Sequence, residues 1–201
     1  MEELSLFEKD QRYIWHPFTP MAEGYEPLVI TKAKDCYLYT EDGRKILDAI
    51  ASWWLNLHGH GNKYLAQAIS KQAEQLEHII FAGFTHEPAI KLSEALIEIL
   101  PENQNKIFFS DNGSTSVEIG IKMALQYHFN TGEKRNTLIA FEGGFHGDTF
   151  GAMSVSGLSV YNGPFEEFFL DVKRIPVPND ENHQDIITLL KDIVSNNKVA
   201  G

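Results

Sequence analysis

Cysteine is almost missing from this sequence: Cys36 is the only one in 201 residues. An internal disulfide is therefore impossible, and a cysteine-based metal cage is excluded. Such usage suits a reducing compartment, and a cytoplasmic location is the expectation. Long apolar runs are missing too. No stretch approaches the ~20 apolar residues of a membrane-spanning helix. The opening MEELSLFEKDQR is acidic and lacks the apolar segment of a secretory signal. Basic residues are scarce, with 17 Lys and Arg against 28 Asp and Glu, a formal net charge of −11. No basic stripe offsets that charge, which argues against nucleic acid and anionic membranes as partners. Internal repeats and low-complexity segments are absent. What is present is a chain 43% hydrophobic and 22% charged, the balance of a folded globular protein.

Leu28–Thr31 and Cys36–Thr40 have the composition of short strands, and Lys45–Asp48 reads as a return strand. The turn between the last two, Glu41-Asp42-Gly43-Arg44, has a glycine to supply positive φ. From about residue 62 the pattern turns helical. Leu65, Ala68, Ile69, Ala73 and Leu76 keep helical spacing. A second helix is expected from Thr85, with Pro88 in its first turn, to Pro101. Its apolar face is Ala89, Leu92, Leu96 and Ile99. Ile107-Phe108-Phe109 reads as a short buried strand, residues 114–130 as a helix ending near Gly132, and Thr137–Phe141 and Asp171–Val177 as further strands. Ile186, Leu189, Leu190, Ile193 and Val194 mark a last helix. This alternation argues for an α/β domain with a mainly parallel sheet.

Four segments have the make-up of a site. Ser110-Asp111-Asn112-Gly113-Ser114-Thr115-Ser116-Val117-Glu118 lies between a strand and a helix. Free N–H groups at such a helix start attract anions, Gly113 permits close approach, and the Ser114 and Thr115 hydroxyls can donate to a phosphate. An ordinary capped helix, with Thr115 and Glu118 as a capping box, accounts for the same residues. The segment is neither a Walker A loop nor a dinucleotide-binding G-x-G-x-x-G. Phe141–Thr149 sets Phe145 and His146 among glycines after a strand. An aromatic ring there can stack on a flat cofactor, or be a packed residue in a flexible loop. Ala51–His60 carries adjacent tryptophans, Trp53 and Trp54, fit for a substrate cleft or for core packing. His58 and His60 in the same segment are a weak metal pair. Tyr13–Thr19 is a pocket wall or an anchored N-terminus.

In this order the four segments resemble the class III aminotransferases, whose fold is the type I pyridoxal-phosphate-dependent transferase fold. The resemblance runs from about residue 9 to the end. It rests on Asp10-Gln11-Arg12-Tyr13-Ile14-Trp15-His16-Pro17, on Ser52-Trp53-Trp54, on Asp111–Glu118 followed by Lys122–Tyr127, and on His146–Val155. The Gly-Ser and Phe-His-Gly pieces belong to the whole class. The W-H-P opening and the tandem tryptophan point to the branch that aminates 8-amino-7-oxononanoate in biotin biosynthesis.

The resemblance implies an α/β chain in which residues 1–60 are the N-terminal part of the small domain. Residues 61–201 are then the first, incomplete part of the large cofactor-binding domain. It implies pyridoxal 5'-phosphate as cofactor, its phosphate held by Gly113 and Ser114 and its pyridine ring stacked on Phe145. Trp53 would line the substrate pocket and Phe18 would close it. Phe18 and Phe145 stand where the best-known members have tyrosines, so two hydroxyls that reach the substrates, Phe145's among them, are missing. The amino donor is S-adenosylmethionine, as in most of that branch, or lysine, as in some relatives. A homodimer follows from the family. The Schiff-base lysine lies further along in these enzymes, so no residue of this chain is assigned the catalytic role. No metal is implied. Because the alternation calls for a strand at Lys198-Val199-Ala200-Gly201, the stop at residue 201 reads as a truncation, and the 201-residue fragment alone is expected to be inactive. Two other readings stand beside this one. One is a class III enzyme for ornithine, acetylornithine or an ω-amino acid, which the tandem tryptophan and the W-H-P opening disfavour. The other is a non-catalytic α/β binding domain.

Overall fold

The computed structural model describes residues 3–20 and 24–201; Met1, Glu2 and residues 21–23 of the N-terminal segment lie outside the described residues. The chain divides into two compact units, Met1–Ala89 and Ile90–Gly201.

The first unit opens with α1 (Leu6–Tyr13), a helix that the apolar pattern does not announce. Its start is a capping box. The Glu8 amide donates to Ser5 Oγ at 3.2 Å, and the Ser5 amide donates to the Glu8 carboxylate at 2.8 Å. The expected meander follows as β1 (Ile30–Lys34), β2 (Tyr37–Thr40) and β3 (Lys45–Leu47), antiparallel and in that order. Gly43, at φ +86, makes the β2–β3 turn. There the Asp42 carboxylate binds Arg44 Nε at 2.8 Å and takes the Thr40 hydroxyl. A single turn, α2 (Ala51–Trp54), comes next, and then α3 (Lys63–Gln75), started by Asn62, whose side chain accepts the Leu65 amide at 3.2 Å.

Helix α4 (Glu87–Ile97) has Pro88 in its first turn. Ala89 on its apolar face is buried; Ile99 lies past the helix end and is exposed.

The second unit is built on β4 (Leu138–Phe141) and β5 (Val172–Ile175), paired parallel with Leu138 opposite Val172 and Phe141 opposite Ile175. Between them run α6 (Phe150–Val155) and a 3-10 turn at Gly163–Phe168. Helix α5 (Gly113–Asn130) precedes β4 and ends before Gly132, which takes φ +78. Helix α7 (His183–Asn196) follows β5. The interior gathers Leu138, Ala152, Met153, Ile175 and Ile186, contributed by both strands, α6 and α7. Residues 198–201 lie along the other side of β4. Val199 bridges Thr137 in parallel, and the Ile139 amide donates to Gly201 O at 2.8 Å. The extended segment that the alternation calls for is therefore present there.

One expected strand is not. Ile107–Phe109 stays irregular, with Phe108 exposed. A short apolar run is no strand unless a ladder takes up its backbone groups, and both sides of β4 are already occupied by β5 and by residues 198–201. Among the described residues no helix is long and apolar enough to cross a membrane.

Candidate functional site

In the second unit, Asn112 caps α5. Its side-chain oxygen accepts the Thr115 amide at 3.0 Å, and Thr115 Oγ1 accepts the Asn112 amide at 3.2 Å. The capping box thus sits one position-triplet earlier than the Thr115–Glu118 pairing that the sequence offers. Glu118 is engaged elsewhere: its carboxylate accepts the Gly151 amide at 2.7 Å, at the head of α6. Capping does not exhaust the donors of α5. The amides of Gly113 and Ser114 have no partner among the described residues. A side chain built at Gly113 would meet nothing within 4 Å. Open space before unpaired N–H groups, at the positive end of an 18-residue helix, meets the requirement for a phosphate. Ser114 Oγ accepts the Asp148 amide at 3.3 Å, which leaves its own proton to donate. Thr115 is not available for this, because its Oγ1 donates to Asn112 O at 3.0 Å and lies 2.5 Å from Ser110 Oγ.

The glycine-rich segment is folded closely on itself and on this helix head, at positions where an added side chain would force its neighbours to shift. Gly147, at φ +123, lies so close to Ser114 that an added Cβ would run into the serine side chain, 2.9 Å from its Cα. A Cβ at Gly151 would meet the Glu118 carboxylate carbon at 2.7 Å. A Cβ at Gly157 would meet the Gly143 nitrogen at 2.7 Å. The His146 amide donates to Ser156 Oγ at 2.9 Å, and Arg174 of β5 donates to the carbonyls of Ser156 and Ser154 at 2.9 and 2.7 Å. The segment is therefore a braced loop. Phe145 stands out from it, 75% exposed. Of the residues singled out in the sequence, Gly113, Ser114 and the loop bearing Phe145 are brought together through Ser114, Gly147 and Asp148.

The first unit brings together the other pair. Phe18 and Trp53 stack with ring centroids 6.0 Å apart and planes inclined by 20°, and Trp54 meets Trp53 edge-on at 6.0 Å. Trp53 is 65% and Phe18 77% exposed, so core packing within this unit does not account for them. Their backbones are unusual. Phe18 and the whole of α2 (Ala51, Ser52, Trp53, Trp54) have positive φ, at 54, 48, 46, 65 and 68°. Helix α2 is a left-handed turn made without glycine, a conformation that costs about 1–2 kcal/mol per residue.

Beneath that turn lies Asp48, which sequence reasoning missed; its only signal is a carboxylate at the last position of the expected return strand. One carboxylate oxygen accepts the Ser52 amide at 2.9 Å, and the other accepts the Ser52 hydroxyl at 2.8 Å and His60 Nε2 at 2.7 Å. The Asp48 and His60 side chains are 5% and 13% exposed. The Ser52 amide, then His60, then the Ser52 hydroxyl hold the Asp48 carboxyl down to about 2 from its ordinary 3.8. His60, singled out beside His58 as a weak metal pair, has this carboxylate as its partner.

Comparison with known proteins points one way. The family model of class III aminotransferases matches residues 20–201. The adenosylmethionine-8-amino-7-oxononanoate aminotransferase of Synechococcus elongatus is 49% identical over 166 residues, which cover 83% of this chain and 39% of that protein. The crystal structure of the enzyme of that name from Methanocaldococcus jannaschii matches with a TM-score of 0.87 at 36% identity, covering 96% of this chain and 45% of that one. An omega transaminase from Pseudomonas jessenii, solved in complex with PMP, matches with a TM-score of 0.81 at 27% identity, covering 96% and 46%. The chain spans less than half the length of each of these relatives.

Proposed function

The chain belongs to the class III aminotransferases, and on that premise we propose that the protein is a pyridoxal-phosphate-dependent transaminase that aminates 8-amino-7-oxononanoate to 7,8-diaminononanoate. The observation that carries the cofactor is the pair of unpartnered amides at Gly113 and Ser114, with open space before them and Phe145 on the adjoining braced loop. These residues fit the group. The two amides and the Ser114 hydroxyl bind the phosphate, and the exposed Phe145 ring orients the cofactor ring by stacking. When bound, pyridoxal phosphate supplies an electron-withdrawing ring that eases removal of a proton beside the amino nitrogen. The Phe18–Trp53 stack gives an apolar wall suited to the methylene chain of a nonanoate, from which it excludes water. With phenylalanine at 18 and 145, these rings offer the donor no hydroxyl. S-adenosylmethionine or lysine is then held by other groups. Residues 1–60 as small-domain segment, residues 61–201 as large-domain segment, a homodimer and a cytoplasmic location complete the proposal.

The test is to give the intact protein pyridoxal phosphate, 8-amino-7-oxononanoate and either donor, and to identify the product by mass spectrometry. Formation of the diamine with one donor is expected. Turnover confined to ornithine, acetylornithine or ω-amino acids would remove the substrate assignment and leave the family. Ser114→Asp places a negative charge beside the phosphate and should weaken cofactor binding about tenfold or more. Unchanged affinity in a pyridoxal phosphate titration would take Gly113 and Ser114 out of the site.

A further inference from the structure

We propose that Asp48 is a positioning residue for this reaction: with His60 and Ser52 it locks the Ala51–Trp54 turn in its left-handed form and so aims Trp53 at the acceptor's chain. The purpose of the turn rests on the aminotransferase reading; its geometry does not.

Nothing local selects the hand of this turn. Alanine, serine and two tryptophans all prefer negative φ. The turn's own bonds, Trp54 N–H to Ile50 O at 2.8 Å and Leu55 N–H to Ala51 O at 3.0 Å, are of the type that a right-handed turn also makes. The selector has to lie outside the turn, and Asp48 is placed to be it. It grips one residue, Ser52, at two donors with its two different oxygens, which fixes the orientation of that residue and not merely its distance. His60 holds the carboxylate from a further direction.

The grip is itself referenced to the meander. The Asp48 amide donates to Cys36 O at 2.9 Å, beside β2. His60 is pinned by a two-bond bridge to Asp35, at 3.0 and 2.7 Å, in the turn between β1 and β2. Gly59, at φ +78, permits that close approach, since a Cβ there would lie 3.2 Å from the Asp35 Cα. Carboxylate and imidazole are thus presented from a fixed frame. What they hold in place points outward: the polar clamp is nearly buried while the Trp53 ring is exposed and stacked on Phe18.

The experiment compares Asp48→Ala with the double variant Asp48→Ala/Ala51→Gly in the intact protein. It reads the near-UV circular dichroism of the aromatic cluster and KM for 8-amino-7-oxononanoate and for the amino donor. Asp48→Ala should lose the aromatic signal and raise the acceptor KM about tenfold, leaving the donor KM unchanged. Ala51→Gly puts a residue at ease with positive φ into the turn and should restore part of both. A wild-type spectrum and wild-type KM in Asp48→Ala would overturn the proposal. So would an equal rise of both KM values with no recovery from Ala51→Gly. If the spectrum responds and recovers while no acceptor assay does, the clamp stands and the substrate reading fails. Should Asp48→Ala not fold, His60→Ala and His60→Gln decide the matter, since glutamine keeps an N–H within reach of the carboxylate. The signal should fall in the first and persist in the second, and identical behaviour of the two would overturn the proposal.

Discussion

The head of α5 and the tandem-tryptophan turn reach tight conformations by opposite means. At α5 the chain makes close contacts by leaving side chains out: Gly147 against Ser114 and Gly151 against Glu118. At α2 it keeps four side chains on a left-handed backbone and compensates from below with one carboxylate. On the proposed function, the difference follows from what each place would present. A phosphate would be met by backbone amides, for which glycine serves. A wall for a methylene chain would need a large ring, and a residue that carries one cannot be glycine. Strain is then unavoidable, and hydrogen bonds have to hold it.

Gly147→Ala is the hardest blow to this contrast. It combines overlap with Ser114 and a backbone conformation that L residues avoid, and should cost about 2–6 kcal/mol in all. Thermal melting and a pyridoxal phosphate titration should both register the loss. Gly83→Ala is the control, because Gly83 has φ +86 but nothing within 4 Å of an added Cβ. A comparable loss in the two variants would mean that close approach at Gly147 matters little.

Acid offers a gentler probe of the other region. The Asp48 carboxyl is held near 2, below its ordinary 3.8, so its grip contributes fully above the ordinary value and is lost as pH falls through about 2. The aromatic circular dichroism should fade within that window, and Asp48→Asn should lack the step. Asp42, held down to about 2 by Arg44 and then Thr40, titrates in the same window but sits at the β2–β3 turn. The aromatic signal therefore distinguishes the two groups. A signal unchanged at about pH 1, where the carboxyl is protonated, would detach Asp48 from the turn. The smallest effect is expected from Ala51→Gly alone. Relief of one left-handed residue, less the entropy that glycine adds to the unfolded chain, should stabilise the protein by about 0.5–1 kcal/mol in a melting experiment. Destabilisation would mean that the alanine is not strained.

These two regions were not equally legible. The α5 start stands in the sequence as Gly113 and Ser114 at the head of a helix, after an expected strand that does not form, and the apolar spacing of Ile186, Leu189, Leu190, Ile193 and Val194 announces α7. The cap is three residues ambiguous in the sequence, because Thr115-x-x-Glu118 and Asn112-x-x-Thr115 both satisfy the spacing, and only packing shows Glu118 bound to Gly151. Ile107–Phe109 looked like a strand because three apolar residues carry no period that distinguishes strand from loop. The Ser5-x-x-Glu8 box of α1 is readable by the same rule. The left-handed turn has no sequence signature at all, since the residues that adopt it are those least suited to it. Its clamp joins Asp48 to His60 across twelve positions with no intervening pattern.

Arg174 ties the tail of α6 to the sheet. Its guanidinium spans the carbonyls of Ser154 and Ser156 at the tail of α6, and Ser156 in turn receives the His146 amide. An exposed loop is thereby geared to a sheet strand through a relay of single hydrogen bonds. In hydrogen-exchange terms, the His146 amide is expected to be protected together with β5, and exchange as fast as that of a free loop amide would show that the bracing does not reach it. A loop held in this way would have little conformational entropy left to lose on binding the proposed cofactor.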